Sequence, residues 1–396
     1  RGGGRFCLIN LSDTTGGTDG SYPGGLRRYG LEDESRKLNV NALIRVDPTG
    51  TLLFNALSQL PNMRRISRCL LAVVLTAGLA ATARAADVDP LLPKETEYVV
   101  HMNFKQMLDS DIIKKYAMGQ IKQALQGEDL KGILATLGLD PLKDIEQATL
   151  GMWGKGDEMN MVGVVKGKFD TKKLYDGAKD LAAKAKDKVE LVTDSVDGKE
   201  VTLVKMTQDS GKPAFLTVAD ESTVLLGSEK KFAVAALTAF NKKEKAKLTK
   251  ELTALVLKQD DKASMYFCGI TEGKLKDLPA SSFDGLKQVG VDGEKMKEQL
   301  EKMNTIAVTV NVGKELKFTA IMGMKDADSA EEFNGTLDKL VDTAKTFLPL
   351  LASQPKNKAL IDDLTKSLGV KAKDKDVTLS FALTAKAIGD LAGSDE

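Results

Sequence analysis

Side chains suited to catalysis are scarce in this chain of 396 residues. It contains one histidine, His101, and three cysteines, of which Cys268 lies furthest from the N-terminus. An imidazole beside a thiol can activate a nucleophile, so this pair is the first candidate for chemistry. Both residues lie in apolar runs that are typical of strands, which favours a buried histidine and a buried cysteine. With one of each after Cys69, the usual zinc and copper sites cannot be assembled.

Motifs for phosphate, calcium or sugar chemistry are incomplete. The glycine-rich segment Gly151–Gly156 lacks the spacing of a phosphate-binding loop and is interpreted as a hairpin tip, with Trp153 as a candidate contact residue. Calcium-loop patterns are missing from the sequence. Carboxylates are abundant enough for a two-carboxylate hydrolase, but aromatic residues, which sugar clefts use as platforms, make up only 5% of the chain. We therefore assign no catalytic, cofactor-binding or metal-binding residue and no cofactor.

The basic residues are distributed unevenly. Arginines occur only up to Arg84, and lysine supplies every later basic side chain apart from His101. Arginine contacts phosphate through a planar fork that lysine does not reproduce. After Arg84 acidic residues slightly outnumber lysines, so the electrostatic attraction that dominates nucleic-acid binding is missing. No nucleic-acid partner is expected.

Residues 63–85 have the pattern of a bacterial secretory signal peptide. Residues 63–68 are basic, residues 69–81 are apolar, and Ala83-Arg84-Ala85 fits the small-x-small pattern before a cleavage site. The apolar stretch is shorter than the about 20 residues that a membrane-spanning helix needs, so no stable span is expected after cleavage. We therefore expect a mature protein that begins at Ala86 and is periplasmic or extracellular after Sec-type export.

Residues 1–62 precede a signal that normally stands at a true N-terminus, so Met63 is interpreted as the start of the working protein. Within residues 29–61, the stretches YGLEDESRKLNVNA and LSQLP resemble a segment of the type II secretion minor pseudopilin K family. The match stops where the signal peptide starts. Two explanations stay open: a gene-boundary artefact, or a genuine fusion that would imply a type II secretion component.

Patterns after Ala86 predict an α+β protein. Tyr98–Phe104 and Met159–Gly167 are apolar enough for strands, and a helical spacing of apolar residues covers Asp109–Gln126. A second helix is predicted over Thr171–Lys186, where the preceding aspartate is placed to cap it. Short strands then follow over Val189–Gly227. We expect antiparallel sheet with helices packed on one face.

The same order recurs weakly in the second half of the chain. Ala263–Ile270 corresponds to the strand Tyr98–Phe104, and Leu316–Met324 corresponds to the strand Met159–Gly167, which precedes a helix. Ser329–Glu332 has the pattern of a capping box for the helix that follows Leu316–Met324. A lysine-rich amphipathic helix over Asn241–Leu257 is predicted to connect the two copies.

These copies define two similar lobes. The first lobe spans residues 86–257 and ends in the connector helix, and the second spans residues 258–396. The plan resembles a class of uncharacterised bacterial exported proteins with tandem α+β repeats, in which a G-K-F-D step joins strand to helix. The corresponding residues here are Gly167-Lys168-Phe169-Asp170. The resemblance implies no catalytic residues.

A non-enzymatic binding or structural protein of the periplasm or envelope is the favoured hypothesis. Its partner would be an envelope component or another protein. The alternative is a hydrolase that uses carboxylates in a groove between the lobes. An adaptable apolar surface could also be formed by methionines, although core packing is the favoured interpretation of them. These methionines are Met152, Met159, Met161, Met322 and Met324.

Overall fold

The computed structural model describes residues 6–10, 29–33, 85–186, 188–207, 212–276, 291–351 and 357–392. Most of the predicted signal peptide, 63–84, and most of the pseudopilin-like segment, 34–61, lie outside these residues. Before residue 62, two described strands pair antiparallel in a small sheet of their own, β1 (Phe6–Asn10) and β2 (Tyr29–Asp33).

A twelve-stranded sheet, antiparallel throughout, forms the centre of the fold. Its strands are β3 (Tyr98–Asn103), β4 (Ile145–Trp153), β5 (Asn160–Gly167), β6 (Val189–Val196), β7 (Lys199–Thr207), β8 (Pro213–Asp220), β9 (Thr223–Gly227), β10 (Met265–Ile270), β11 (Met303–Val312), β12 (Glu315–Met324), β13 (Gly369–Lys373) and β14 (Asp376–Thr384). Their spatial order is β13-β14-β12-β11-β10-β3-β4-β5-β9-β8-β7-β6. The predicted α+β class is confirmed.

Helices connect these strands. The described helices are α1 (Phe104–Asp109), a π-helix (Ile113–Ala117), α2 (Met118–Leu125), α3 (Glu128–Leu137), α4 (Pro141–Asp144), a 3-10 helix (Gly156–Glu158), α5 (Thr171–Lys184), α6 (Lys230–Asn241), α7 (Lys250–Leu257), α8 (Gly293–Glu301), α9 (Ala327–Leu351), α10 (Lys358–Ser367) and α11 (Ala385–Ala392). Asp170 caps α5 as the sequence predicts, because its Oδ1 accepts a hydrogen bond from the Lys173 amide at 3.0 Å.

The strands of the two predicted lobes form contiguous halves of one sheet. The halves meet where β3 pairs with β10, and the predicted boundary after Leu257 falls between α7 and β10. In the first half the late strand β9 returns to lie beside β5. In the second half β14 returns to lie beside β12. The strand order therefore repeats in the way that the sequence pattern indicates.

Two cores formed with helices lie on opposite faces of the sheet. Since alternate residues of a strand point to opposite faces, the register places Val99 and Cys268 on one face, where they share a core with α6 and α7. Ile306 and Met322 point to the other face and pack with Phe333 of α9. Phe104 of α1 packs with Val100 and Met102 on the face opposite Val99, so helices contact both faces of the sheet.

Residues 85–93, the N-terminal strap, close the face that α6 and α7 cover. The Ala86 amide donates a hydrogen bond to the Gln259 carbonyl at 2.9 Å. Leu92 is 1% exposed and belongs to the same core as Val99. A Cβ at Gly151 would lie 3.0 Å from the Leu92 side chain, so the strap fits closely over β4 because residue 151 has no side chain.

Two predicted helix positions are wrong. The connector helix does not span Asn241–Leu257: α6 ends at Asn241 and α7 begins at Lys250. Between them Lys243 has a φ of 50°, a left-handed conformation that interrupts a right-handed helix. The amphipathic spacing predicted the apolar face of α7 but gave no signal for this turn.

The capping box predicted at Ser329–Glu332 is also wrong. Helix α9 begins at Ala327, two residues earlier. The side chain that caps it is Asp326, whose Oδ1 accepts a hydrogen bond from the Ser329 amide at 2.8 Å. A carboxylate satisfies free amides at a helix N-terminus as well as a hydroxyl does, so Asp326 takes the role that the pattern assigned to Ser329.

Truncation of the strap should destabilise the protein. Leu92→Ala removes a fully buried side chain, and we expect it to lower the free energy of unfolding by about 2–5 kcal/mol. Leu130→Ala is the matched control, because Leu130 is 41% exposed and its truncation should cost less than about 0.5 kcal/mol. Urea unfolding measures both, and equal losses would contradict a docked strap.

Candidate functional site

His101 lies at the middle of the sheet, where three strands hold its imidazole. Within β3 it stands opposite Thr149 of β4 and Tyr266 of β10. Its Nδ1 and the Thr149 Oγ1 form a hydrogen bond of 3.0 Å. The imidazole stacks on the Tyr266 ring with centroids 4.9 Å apart and planes 18° apart. The histidine is therefore fixed by a hydroxyl and a ring on neighbouring strands.

The surroundings keep this imidazole neutral. The pKa of His101 is lowered to about 4, mainly by burial and then by the positive charge of Lys166, with Asp89 acting in the opposite sense. Lys166 Nζ and Asp89 Oδ2 form an ion pair of 3.2 Å, and the Asp89 side chain is 5% exposed. Asp89 belongs to the N-terminal strap. At neutral pH the imidazole is uncharged and too weakly basic to act as an efficient general base.

Cys268 is not a partner of the histidine. The register places Cys268 opposite Val99 and Ala307, while Tyr266 stands opposite His101. The thiol is fully buried, and burial raises its pKa to about 12. Because the thiolate is the reactive form, a thiol in this position is inert. Cys268 is a buried strand residue, as its apolar neighbours in sequence predict.

Carboxylates do not converge in the core of the described part of the chain. Among the residues that the structure describes, Asp89 is the single carboxylate with a buried side chain. Those residues also contain no group of three or more His, Cys, Asp or Glu side chains that could hold a metal ion. In the same residues, every helix is too short or too polar to cross a membrane.

Trp153 and three of the five methionines serve packing. Trp153 ends β4 and contacts Phe232 edge to face, with centroids 4.9 Å apart and planes 83° apart. Met324 is 3% exposed, and Met322 packs against the same core beside α9. Met152 packs against residues of β3, the strand that pairs with β4. Trp153 is thus anchored to α6, which does not favour its expected role as an exposed contact residue.

An apolar cavity of about 160 Å³, the α2 cavity, lies between the helices that follow β3. All of its lining side chains are apolar, and the cavity is partly open to solvent. They include Met107 and Leu108 of α1, Ile113 of the π-helix, Ile121 and Leu125 of α2, and Leu142 of α4. The sequence pattern does not predict this cavity, because the spacing of apolar residues over Asp109–Gln126 predicts one continuous helix. The structure has α1 ending at Asp109 and a π-helix before α2.

Comparisons with known proteins do not assign a family. A scan of protein-family models finds no match, and a search of curated proteins finds none. Solved structures of TP0453 in crystal forms I and IV are weakly similar, with TM-scores of 0.40 and 0.37 and 6% sequence identity in each case. Both alignments cover 78% of this chain and 98% of TP0453. Neither resemblance stated from the sequence is supported by these comparisons.

The depressed pKa of His101 should make stability depend on pH. The unfolded chain has a histidine pKa of 6.5 and the folded chain one of about 4, so the unfolded state binds more protons between these values. Stability is then full above pH 6.5 and is lost as the pH falls through the folded pKa. We expect a loss of about 3 kcal/mol between pH 7 and pH 4 from this group.

One NMR titration checks this, because a chain with one histidine gives one imidazole signal. Its midpoint should lie near pH 4 in the folded protein. His101→Gln is the control, since carboxylates titrate in both proteins, and its free energy of unfolding should fall less over the same range. A midpoint near pH 6.5 would contradict the burial of the ring.

Cys268 should be unreactive until the protein unfolds. With its thiol fully buried and its pKa raised to about 12, we expect no reaction with Ellman's reagent at pH 8 in native buffer. Complete reaction should follow in urea. Cys268→Ser defines the background from Cys7 and Cys69 in chains that retain them. Fast labelling of the native protein would show that β10 is accessible.

Proposed function

We propose that this chain is an exported protein of the bacterial envelope that binds a ligand or partner and carries out no chemical conversion of its own. Export is supported by the charge, hydropathy and small-x-small pattern of residues 63–85.

The observation that carries the proposal is the state of the two most reactive side chains. His101 is neutral and fixed between Thr149 and Tyr266, and Cys268 is a fully buried thiol. A catalytic group must reach the reacting atoms of a substrate and exchange a proton near the working pH. Neither side chain meets these two requirements. Binding demands neither, so it is the function that the described residues support best.

The hydrolase hypothesis lacks its key feature. Such an enzyme needs two carboxylates a few ångströms apart in a cleft, with different pKa values. In the described part of the chain the one buried carboxylate is Asp89, which is neutralised by Lys166. A type II secretion role depends on residues 29–61, of which only Tyr29–Asp33 are described. We therefore base the proposed binding role on the described residues between 85 and 392, and the proposed export on residues 63–85.

Expression from Met63 in a bacterium, followed by native mass spectrometry of the periplasmic fraction, tests the proposal. We expect a chain that begins at Ala86 and carries a non-covalent ligand or partner. Ala85→Tyr should block processing, because the cleavage site accepts small residues. Arg84→Lys, which leaves the small residues in place, is the matched control and should be processed normally.

Three results would count against the proposal. A wild-type chain that stays unprocessed in the cytoplasm would overturn export. A processed chain that carries no bound species, and shows no saturable binding to solubilised envelope fractions, would overturn the binding role. Turnover of a substrate that survives in the His101→Gln, Cys268→Ser double variant would point to chemistry elsewhere in the chain.

A further inference from the structure

The α2 cavity has a rigid floor. Met107 of α1 is 2% exposed and Ile113 of the π-helix is 1% exposed, and both pack in a core with Val312 of β11. A π-helix is uncommon and is frequent at functional sites, where it displaces side chains from regular helical positions. The floor is therefore attached to the sheet and keeps its shape when the cavity is filled or empty.

Its roof is held much less firmly. None of the eight residues of α2 is buried, although Ile121 and Leu125 point into the cavity. Gly119 stands in the first turn of α2 and Gly127 follows its end. A Cβ at Gly119 would meet no atom within 4 Å, and one at Gly127 would make only an ordinary contact. Since packing does not demand either glycine, their effect is backbone freedom at both ends of the roof.

The geometry points to a ligand for this cavity: we propose that it binds the end of an unbranched alkyl chain of about six carbon atoms, with α2 as a movable roof. The volume of about 160 Å³ matches that of apolar protein cavities of about 150 Å³, which stay dry and bind benzene. An empty cavity of this kind lacks dispersion contacts that an apolar guest restores.

The lining explains the choice of an alkyl chain. Every lining side chain is apolar, so a polar head would lose its hydration without gaining a hydrogen bond and must stay in solvent. The cavity is partly open, which lets a chain enter end-on beneath α2 while its head remains outside. Lys143, next to the lining residue Leu142, is paired with Asp140 at 2.7 Å.

This inference deepens the proposed function by naming a site and a ligand class, and it rests on that function only for the biological role of the ligand. Binding itself is a property of the folded chain. Alkyl chains can come from free fatty acids or from membrane lipids, which share the chemistry that the cavity recognises. The experiment therefore uses one probe of each kind.

Isothermal titration of the full-length chain with sodium octanoate, below its micelle concentration, tests the cavity. We expect saturable binding at one site. Ile121→Trp places a large ring in the cavity from the roof and should weaken binding by about tenfold or more. Ile133→Trp is the matched control: Ile133 is a 43% exposed residue of α3 outside the cavity, and this variant should bind as the wild type does.

Leu108→Phe is a second filling variant, made from α1, and guards against misfolding of the first. Absence of octanoate binding to the wild type would overturn the inference, and so would equal binding by the wild type and both filling variants. A chain that is exported and processed but does not bind octanoate would contradict this inference and leave the proposed function standing. A chain that binds octanoate but is never processed would contradict the proposed function and leave this inference standing.

Vesicles of phosphatidylethanolamine and phosphatidylglycerol distinguish the two sources. Co-sedimentation that Ile121→Trp abolishes and Ile133→Trp retains would assign the cavity to lipid chains held in a bilayer. Octanoate binding without co-sedimentation would assign it to free fatty acids. Co-sedimentation that survives in both filling variants, with no octanoate binding, would contradict the cavity as the site.

Discussion

The pairing of β3 with β10 is the contact on which the rest of this fold depends. The two strands come from different halves of the chain and run antiparallel, with Tyr98 opposite Gly269 and Met102 opposite Met265. Residue 269 has no side chain, and a Cβ there would lie 2.7 Å from the Tyr98 ring. The other ten strands of this sheet are added outward from the pair, six beyond β3 and four beyond β10.

The same pairing determines what the reactive side chains can do. It sets His101 against Tyr266 and Cys268 against Val99, on the face that α6, α7 and the strap cover. A slip of one residue would turn each side chain to the other face. The inertness of the histidine and the thiol is thus a consequence of sheet assembly.

Local features of the sequence predicted local structure well. Strand β5 and helix α5 form where apolar periodicity and an N-cap at Asp170 coincide, and the tertiary structure agrees with both signals. The break at Lys243 was hidden because a non-glycine residue in a left-handed conformation has no reliable sequence signal. No local pattern predicts that the two lobes form one sheet, because β3 and β10 pair through strand edges that exist only after each half has folded.

The candidate site also combines features that the sequence predicts with features that depend on tertiary structure. Full burial of Cys268 and partial burial of His101 follow from their apolar neighbours in sequence, but the partners Thr149 and Tyr266 follow only from register. No sequence pattern predicts the α2 cavity. Its walls come from short helices whose apolar residues predict burial, yet the helices meet the sheet through α1 and the π-helix and leave α2 unburied.

This contrast between sheet and helices bears on function. A buried side chain in the sheet contacts neighbours on both adjacent strands, so the sheet has little freedom to exchange its contacts for those of a ligand. Helix α2 buries none of its residues, and elements with few buried contacts open at low free-energy cost. A protein whose reactive groups are confined to the sheet can therefore still respond to a ligand through α2, where apolar contacts with a guest replace contacts that the folded chain leaves unmade.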